Sequence, residues 1–178
     1  YCATCDGNFF KNKKVAVVGG GNTSLEDCLY LVDIVDKIYL IHRRDEFRGD
    51  KHSLNKLFEY EKLGKIEFVL NSTVTKLLGV NYLTGVEVEN KLTKDVRQID
   101  IDGLFIAIGR RPDTNLVQNV ISLDENGYII TDENMCTNIH GVYAVGDVRK
   151  KRLRQIVTAC SDGAIASVDI IEYISKNF

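Results

Sequence analysis

No apolar run in this sequence approaches the roughly 18 residues that span a bilayer, and no basic segment followed by an apolar stretch opens it as a secretory signal would. Neither sign of charge dominates. Lys and Arg number 23 against 25 Asp and Glu, a net charge of −2, which excludes a protein whose main business is coating nucleic acid or an anionic membrane. The five cysteines, at positions 2, 5, 28, 136 and 160, are odd in number and irregularly spaced, so they do not form the disulfide framework of a small secreted domain. An initiator methionine is also missing. The chain starts at Tyr1 with a C-x-x-C pair directly behind it and no earlier element to support that pair, which reads as an excised fragment. With 178 residues it can still bury a core as one domain or two small ones, and a soluble, cytoplasmic protein is expected.

Hydrophobic periodicity organises what is there. Residues 15–18 form a continuous apolar, β-branched run that breaks into Gly19, Gly20 and Gly21, the pattern of a buried strand ending in a turn. From Asn22 to about Asp36, Leu25, Cys28, Leu29, Leu31, Val32 and Val35 recur at helical spacing. Residues 37–41 predict a second strand ending at His42, Arg43 and Arg44, so the whole is a βαβ unit with parallel strands. Leu54, Leu57, Phe58 and Leu63 predict another helix over 53–63, ended by Gly64. Short strands over 66–69, 73–78, 83–88 and 96–101 predict an antiparallel insertion, and 104–108 another buried strand before Gly109. Around Pro112, the only proline, the composition turns polar and marks a boundary near Arg110. Beyond it, strands over 127–131 and 142–145 and a long amphipathic helix over 155–174 are expected, a part too small to stand alone.

Gly19-Gly20-Gly21-Asn22-Thr23-Ser24 fits G-x-G-x-x-(small) between a strand and a helix, the context a dinucleotide site requires. Gly19 permits the tight turn, Gly21 leaves room for a pyrophosphate, and Ser24 stays small so that helix and strand pack closely. The first amides of the helix then face the anion. About 20 residues on, where an NAD site would carry an acid for the ribose 2′-hydroxyl, the sequence reads His42-Arg43-Arg44, with Arg48 close behind. Guanidinium groups bind a 2′-phosphate through paired hydrogen bonds, so the ligand implied is NADPH.

Cys2 and Cys5 could form a disulfide or supply half a metal site, but the remaining cysteines and histidines show no second pair at zinc-ligand spacing, so redox chemistry is favoured and no metal site is expected. Asp6, directly after Cys5, is either the acid that reprotonates a leaving sulfur or a turn residue before Gly7. Cys28 and Cys160 read as small core hydrophobes. Arg149, Lys150, Lys151 and Arg152 read as a solvated loop rather than a nucleic-acid patch.

Together these segments resemble the bacterial-type, low-molecular-weight thioredoxin reductases. The resemblance rests on Cys2-Ala3-Thr4-Cys5-Asp6-Gly7, the glycine turn, His42-Arg43-Arg44-Asp45-Glu46-Phe47-Arg48, residues 103–109, Val145-Gly146-Asp147-Val148 and Arg154-Gln155-Ile156, in the family's order over almost the full chain. It implies an α/β fold: a Rossmann-like NADPH-binding domain over 1–110, three-layered, with a parallel sheet and an antiparallel insertion, and over 111–178 the C-terminal half of an FAD-binding domain. It also implies that NADPH reduces FAD, the flavin reduces the Cys2/Cys5 disulfide, and the dithiol reduces thioredoxin in a homodimer. Cys5 would face the flavin, Cys2 would attack thioredoxin and Asp6 would donate the proton. Arg43, Arg44 and Arg48 would hold the 2′-phosphate, Gly109 would line the cofactor, and Gly146, Asp147, Arg154, Gln155 and Ile156 would contact FAD.

Departures from the family are also visible. An upstream FAD-binding unit with its own glycine fingerprint is not in this sequence, so the chain by itself is expected to bind FAD weakly or not at all, and to be inactive. Cys160-Ser161 stands where Ala-Gly is commoner and Gly49 where Ala is usual, and both are expected to be tolerated. The alternatives are a flavin-linked ferredoxin reductase, against which the cysteine pair argues, and a non-catalytic NADPH-binding module whose cysteines are structural or metal-binding.

Overall fold

A computed structural model describes residues 2–178, which fall into two compact units, Tyr1–Gly109 and Arg110–Phe178. The first opens with a single helical turn, α1 (Ala3–Asp6), and a 3-10 turn, followed by β1 (Lys14–Val18), α2 (Asn22–Leu31), β2 (Lys37–Ile41), α3 (Lys51–Lys62) and β3 (Ile66–Val69). Then come β4 (Ser72–Leu78), β5 (Gly85–Asn90), β6 (Val96–Asp100) and β7 (Gly103–Ile106). Strands β3, β2, β1 and β7 pair in that order, all parallel, while β4, β5 and β6 form a separate antiparallel sheet.

Side chains alternate along β1 and so divide the unit into three layers. Val15 and Val17 face Leu25, Cys28 and Leu31 of α2 and Leu57 of α3, while Ala16 faces Val86, Val88 and Ile99 of the antiparallel sheet. The α/β class and the mixed sheets follow the sequence expectation, with one correction. Residues 66–69 do not belong to the antiparallel insertion: Ile66 to Val69 lie beside Ile38 to Ile41 as a fourth parallel strand, because α3 supplies the crossover that carries the chain back to the same edge.

α2 is shorter than its periodicity predicts. It stops at Leu31, and although Val32 and Val35 stay buried, the chain turns so that Asp36 donates its N–H to the Lys13 carbonyl and enters β2. Gly64, with φ +75°, ends the next helix in the left-handed conformation that favours glycine.

The second unit contains a 3-10 turn over Gly146–Val148 and one long helix, α4 (Ile156–Asn177). The strands expected over 127–131 and 142–145 are not formed. Ile129 makes isolated bridges to Leu123 and Arg149, and Tyr143 one to Cys136, so these extended segments have no continuous ladder among the described residues. The buried core of this unit is Ile121, Ile129 and Ala144, with Val117, Leu123, Ile139 and Val148 against it. No described helix is long and apolar enough to cross a membrane.

Candidate coenzyme and disulfide site

The glycine turn leaves the C-terminal end of β1, between its two parallel neighbours β2 and β7, where an open α/β sheet forms a crevice. Each glycine has its own reason. A Cβ on Gly19 would lie 2.5 Å from the Ala107 carbonyl oxygen and 2.7 Å from Ser24 Cβ, so the residue must be small for β1, β7 and α2 to meet. A Cβ on Gly20 would fall inside the His42 imidazole. Gly21 faces open space, with nothing within 4 Å of its missing side chain, and as N-cap of α2 it offers no side-chain acceptor to the first helical N–H groups. Those amides are therefore left for an anion. Ser24 is fully buried and its hydroxyl donates to the Gly21 carbonyl at 2.7 Å, which holds the turn closed. Gly109 follows β7 on the same edge of the sheet, at φ +100°.

The arginine segment is tied to that turn through the backbone. Arg48 N–H donates to the Gly20 carbonyl at 2.7 Å, and the Asp50 N–H donates to Asn22 Oδ1 at 2.8 Å, so the glycine turn and the first residue of α2 grip the 42–50 loop. Arg43, Arg44 and Arg48 are exposed, and none makes an ion pair with another described residue. His42 behaves differently from its neighbours. It is buried, lies flat against Phe47 at 5.4 Å between ring centroids, and places Nε2 3.1 Å from the Glu46 carbonyl oxygen. Burial lowers its pKa; the Glu46 carbonyl works against this, and the positive charges of Arg48, Arg44 and Arg43 add to it. A neutral ring packed on Gly20 is a wedge that sets the loop rather than a ligand-facing side chain. Gly49 completes the packing, because Leu25 Cδ1 occupies the space an alanine methyl would take.

Cys2 and Cys5 are joined in a disulfide across α1, with their Cα atoms 5.2 Å apart. Cys2 is the N-cap, and its Sγ accepts the Cys5 N–H at 3.2 Å and lies 3.1 Å from the Thr4 hydroxyl. The turn lies on α2: Ala3 is buried, the Tyr30 hydroxyl reaches the Thr4 carbonyl, and a Cβ on Gly7 would sit 2.9 Å from Leu31. The pair is thus supported from behind by α2, which the position of the motif in the sequence did not predict. Cys5 and Asp6 are exposed. The disulfide packs at the C-terminal end of α2 and the glycine turn at its N-terminal end, roughly 15 Å apart for a ten-residue helix.

In the second unit, Gly146 adopts φ +76°, and Asp147 follows it with its side chain about half exposed. Arg154 stacks its guanidinium 3.8 Å over the Tyr128 ring and donates to the Asp147 and Arg149 carbonyls. Gln155 is the N-cap of α4 and exchanges hydrogen bonds with Thr158, while Ile156 is exposed. Two expectations fail here. Arg149 and Lys151 are not a solvated face: both are largely buried, at 3.0 and 2.7 Å from the carboxylate of Asp162, because one buried acid on α4 draws both cations inward. Cys160 is not a core residue, since its side of α4 is exposed, whereas Cys28 is fully buried. Asp162, Phe47 and Tyr128 are the positioning residues the sequence did not reveal. Nothing in their local spacing marks them.

Residues 1–163 match the family described as pyridine nucleotide-disulphide oxidoreductase. Among curated proteins, the thioredoxin reductase of Peptoclostridium acidaminophilum is 41% identical over 184 residues, covering 100% of this chain and 58% of the relative. That of Mycoplasma pneumoniae is 44% identical over 171 residues, covering 96% and 53%. Among solved structures, thioredoxin reductase from Streptococcus pyogenes superposes with a TM-score of 0.88 at 39% identity, over 99% of this chain and 57% of that one. The Giardia duodenalis thioredoxin reductase gives 0.80 at 31% identity, over 98% and 57%. The chain thus spans a little over half the length of these relatives. A nucleotide-type glycine turn and a cysteine disulfide packed at opposite ends of one helix, with a match covering most of the sequence, establish that this chain belongs to the pyridine nucleotide-disulphide oxidoreductase family.

Proposed function

We propose that this sequence is the NADPH-binding and dithiol portion of a thioredoxin-disulfide reductase, a homodimeric flavoenzyme whose FAD is held by Gly146, Asp147, Arg154, Gln155 and Ile156 together with chain outside the 178 residues. One observation carries the coenzyme assignment: three exposed arginines without ion pairs are tethered by the 2.7 Å Arg48-to-Gly20 hydrogen bond beside an uncapped helix N-terminus. Open space at Gly21 admits a pyrophosphate, and the arginines supply a bidentate site for a 2′-phosphate. Gly146, Asp147, Arg154, Gln155 and Ile156 would hold FAD, which when bound would supply two-electron transfer between the coenzyme and the Cys2–Cys5 disulfide.

The chain's own residues support the thiol steps. In the reduced pair, the Cys5 N–H and the Thr4 hydroxyl beside Cys2 Sγ favour a negative charge on that sulfur, which suits Cys2 as the nucleophile. Its thiolate attacks a sulfur of the thioredoxin disulfide; a mixed disulfide forms, the substrate S–S bond breaks, and the leaving sulfur takes up a proton, for which the family resemblance offers Asp6 as the donor. Cys5 then attacks Cys2 Sγ, its thiol proton passing to the departing thioredoxin sulfur, which restores the Cys2–Cys5 bond and releases thioredoxin with two thiols. The bond already joining Cys2 to Cys5 supports the redox reading of the pair.

The test uses the natural polypeptide that carries this sequence. It is expected to be yellow, to bleach with NADPH far more readily than with NADH, and to recover its colour on adding oxidised thioredoxin. Cys2→Ser and Cys5→Ser should still bleach but not reduce thioredoxin. A colourless protein, or one that either cysteine variant leaves fully active, overturns the assignment. Expressed alone, the 178-residue chain should bind NADPH without turnover.

A further inference from the structure

Asp162 lies in the second turn of α4 and is 6% exposed, yet it carries a full set of partners. Its Oδ2 accepts the Gly146 N–H at 2.9 Å and Lys151 Nζ at 2.7 Å, while Oδ1 accepts Arg149 Nη1 at 3.0 Å. One carboxylate thus grips both ends of the 146–151 loop and pins it to the helix. The grip extends outward. Arg149 Nε donates to Thr131 Oγ1 at 2.8 Å, and the Ile129 and Lys150 amides exchange hydrogen bonds with Val148 and Ile129 carbonyls. The loop carbonyls of Asp147 and Arg149 in turn receive Arg154, whose other face is held by Tyr128. Burial would raise the Asp162 pKa, but the bonds from Lys151 and Gly146 and the charges of Arg149 and Lys151 overcome it and leave the acid ionised.

We infer that Asp162 is a positioning residue that fixes the direction of the Gly146 and Asp147 backbone and of Arg154, and so preorganises this unit's flavin-contacting surface. The inference rests on the function proposed above, but the clamp can be read without flavin. Asp162→Asn keeps an acceptor for one end of the loop and turns an amide N–H₂ toward a cation, so the loop should loosen while α4 persists. Arg149→Met and Lys151→Met each release one end only.

The experiment compares the natural polypeptide with these three variants by amide hydrogen exchange, FAD titration of the apoprotein and NADPH titration. In Asp162→Asn, exchange over 146–151 is expected to rise at least tenfold and FAD affinity to fall about tenfold, a loss within the range of one charged hydrogen bond, with NADPH affinity unchanged. Arg149→Met and Lys151→Met should give smaller losses of the same kind, and they decide the matter if Asp162→Asn does not fold. Unchanged exchange over 146–151 overturns the clamp whatever the flavin does. Parallel loss of FAD and NADPH affinity overturns it too, since that is the mark of general destabilisation. Faster exchange with unchanged FAD affinity overturns the flavin role alone. A parent protein that takes up no FAD overturns the proposed function and the flavin role with it, and leaves the exchange result to decide the clamp.

Discussion

Replacing Arg43 and Arg44 together by alanine should remove most of the preference of the proposed coenzyme site for NADPH over NADH. Both side chains are exposed and make no ion pair with a described residue, so their removal leaves no buried partner stranded and the fold is expected to be unaffected. A charge-assisted hydrogen bond contributes about 1.5–3 kcal/mol, but solvent and salt screen an exposed contact, so the pair is worth about 2–4 kcal/mol, with the lower half favoured. That corresponds to a roughly 30- to 800-fold weaker NADPH complex. NADH has no 2′-phosphate and keeps its contacts to the glycine turn, so its affinity should change by less than about threefold. Arg48 is tethered by its backbone to Gly20 and retains part of the site, so a further Arg48→Ala should add a smaller loss. Fluorescence titration of the chain with each coenzyme, at low and high salt, reads all of this. The NADPH affinity of the parent should fall steeply with salt and that of the variant only weakly. Equal loss of both coenzymes, or a parent that binds NADH as tightly as NADPH, would refute the phosphate role.

Three further predictions concern single residues whose burial or packing differs. Gly20→Ala places a methyl inside the His42 ring and should lower stability by about 1–3 kcal/mol, whereas Gly21→Ala, in open space, should leave the melting temperature alone and weaken coenzyme binding; thermal denaturation and titration separate the two. His42 has a lowered pKa in the fold, so the unfolded chain binds its proton more readily. The stability its neutral form contributes is complete above the ordinary value of about 6.5 and drains away as the pH falls through the lower folded value; His42→Phe, which keeps a ring against Phe47, should flatten a melting-temperature profile below about pH 6.5. Finally, an aromatic disulfide reagent added without reductant should take Cys160 first, and Cys28 only after denaturation, because burial and the neighbouring Asp27 push the Cys28 thiol well up.

How much of this was legible depends on the distance over which each feature is encoded. The β1-to-β2 crossover, the glycine turn, the arginine run and the cysteine pair are contiguous segments, and strand and helix periods place them correctly. The end of α2 was not legible, because Val32 and Val35 remain buried and so prolong the apolar pattern past the last helical turn. Nor was the allegiance of residues 66–69, since a strand's period says nothing about its partner. The failure of 127–131 to form a strand has the same cause: Ile129 is buried, as a strand residue would be, but it finds only single bridges. In the candidate site, local sequence showed which residues could meet a coenzyme but not what holds them. His42 adjoins the arginines in sequence, yet it packs inward on Gly20. Lys151 and Arg149 looked solvated because the acid that buries them lies eleven and thirteen residues away.

The second unit raises a different question of energetics. Its own buried core is Ile121, Ile129 and Ala144, while α4 turns Asp162 and Ala166 inward and leaves Ile156, Val157, Val168, Ile171 and Ile174 half or more exposed along the other side. A helix apolar on both faces belongs in an interior. Fully burying a Val or Ile side chain contributes about 1.5–3 kcal/mol, so covering the part of these five still exposed would contribute on the order of 5–10 kcal/mol, comparable to the net stability of a whole domain. Further chain laid over this stripe would therefore decide whether the unit is stable at all. Arg110–Phe178 expressed by itself should show helical circular dichroism but no cooperative unfolding, and should bind a hydrophobic dye. Val168→Lys with Ile171→Lys should change the stability of the 178-residue chain by less than about 0.5 kcal/mol, as at any exposed site, yet prevent folding of the natural polypeptide if additional chain covers the stripe there. A sharp melting transition in the isolated unit, or a natural polypeptide indifferent to both lysines, would show that this helix face is meant for water.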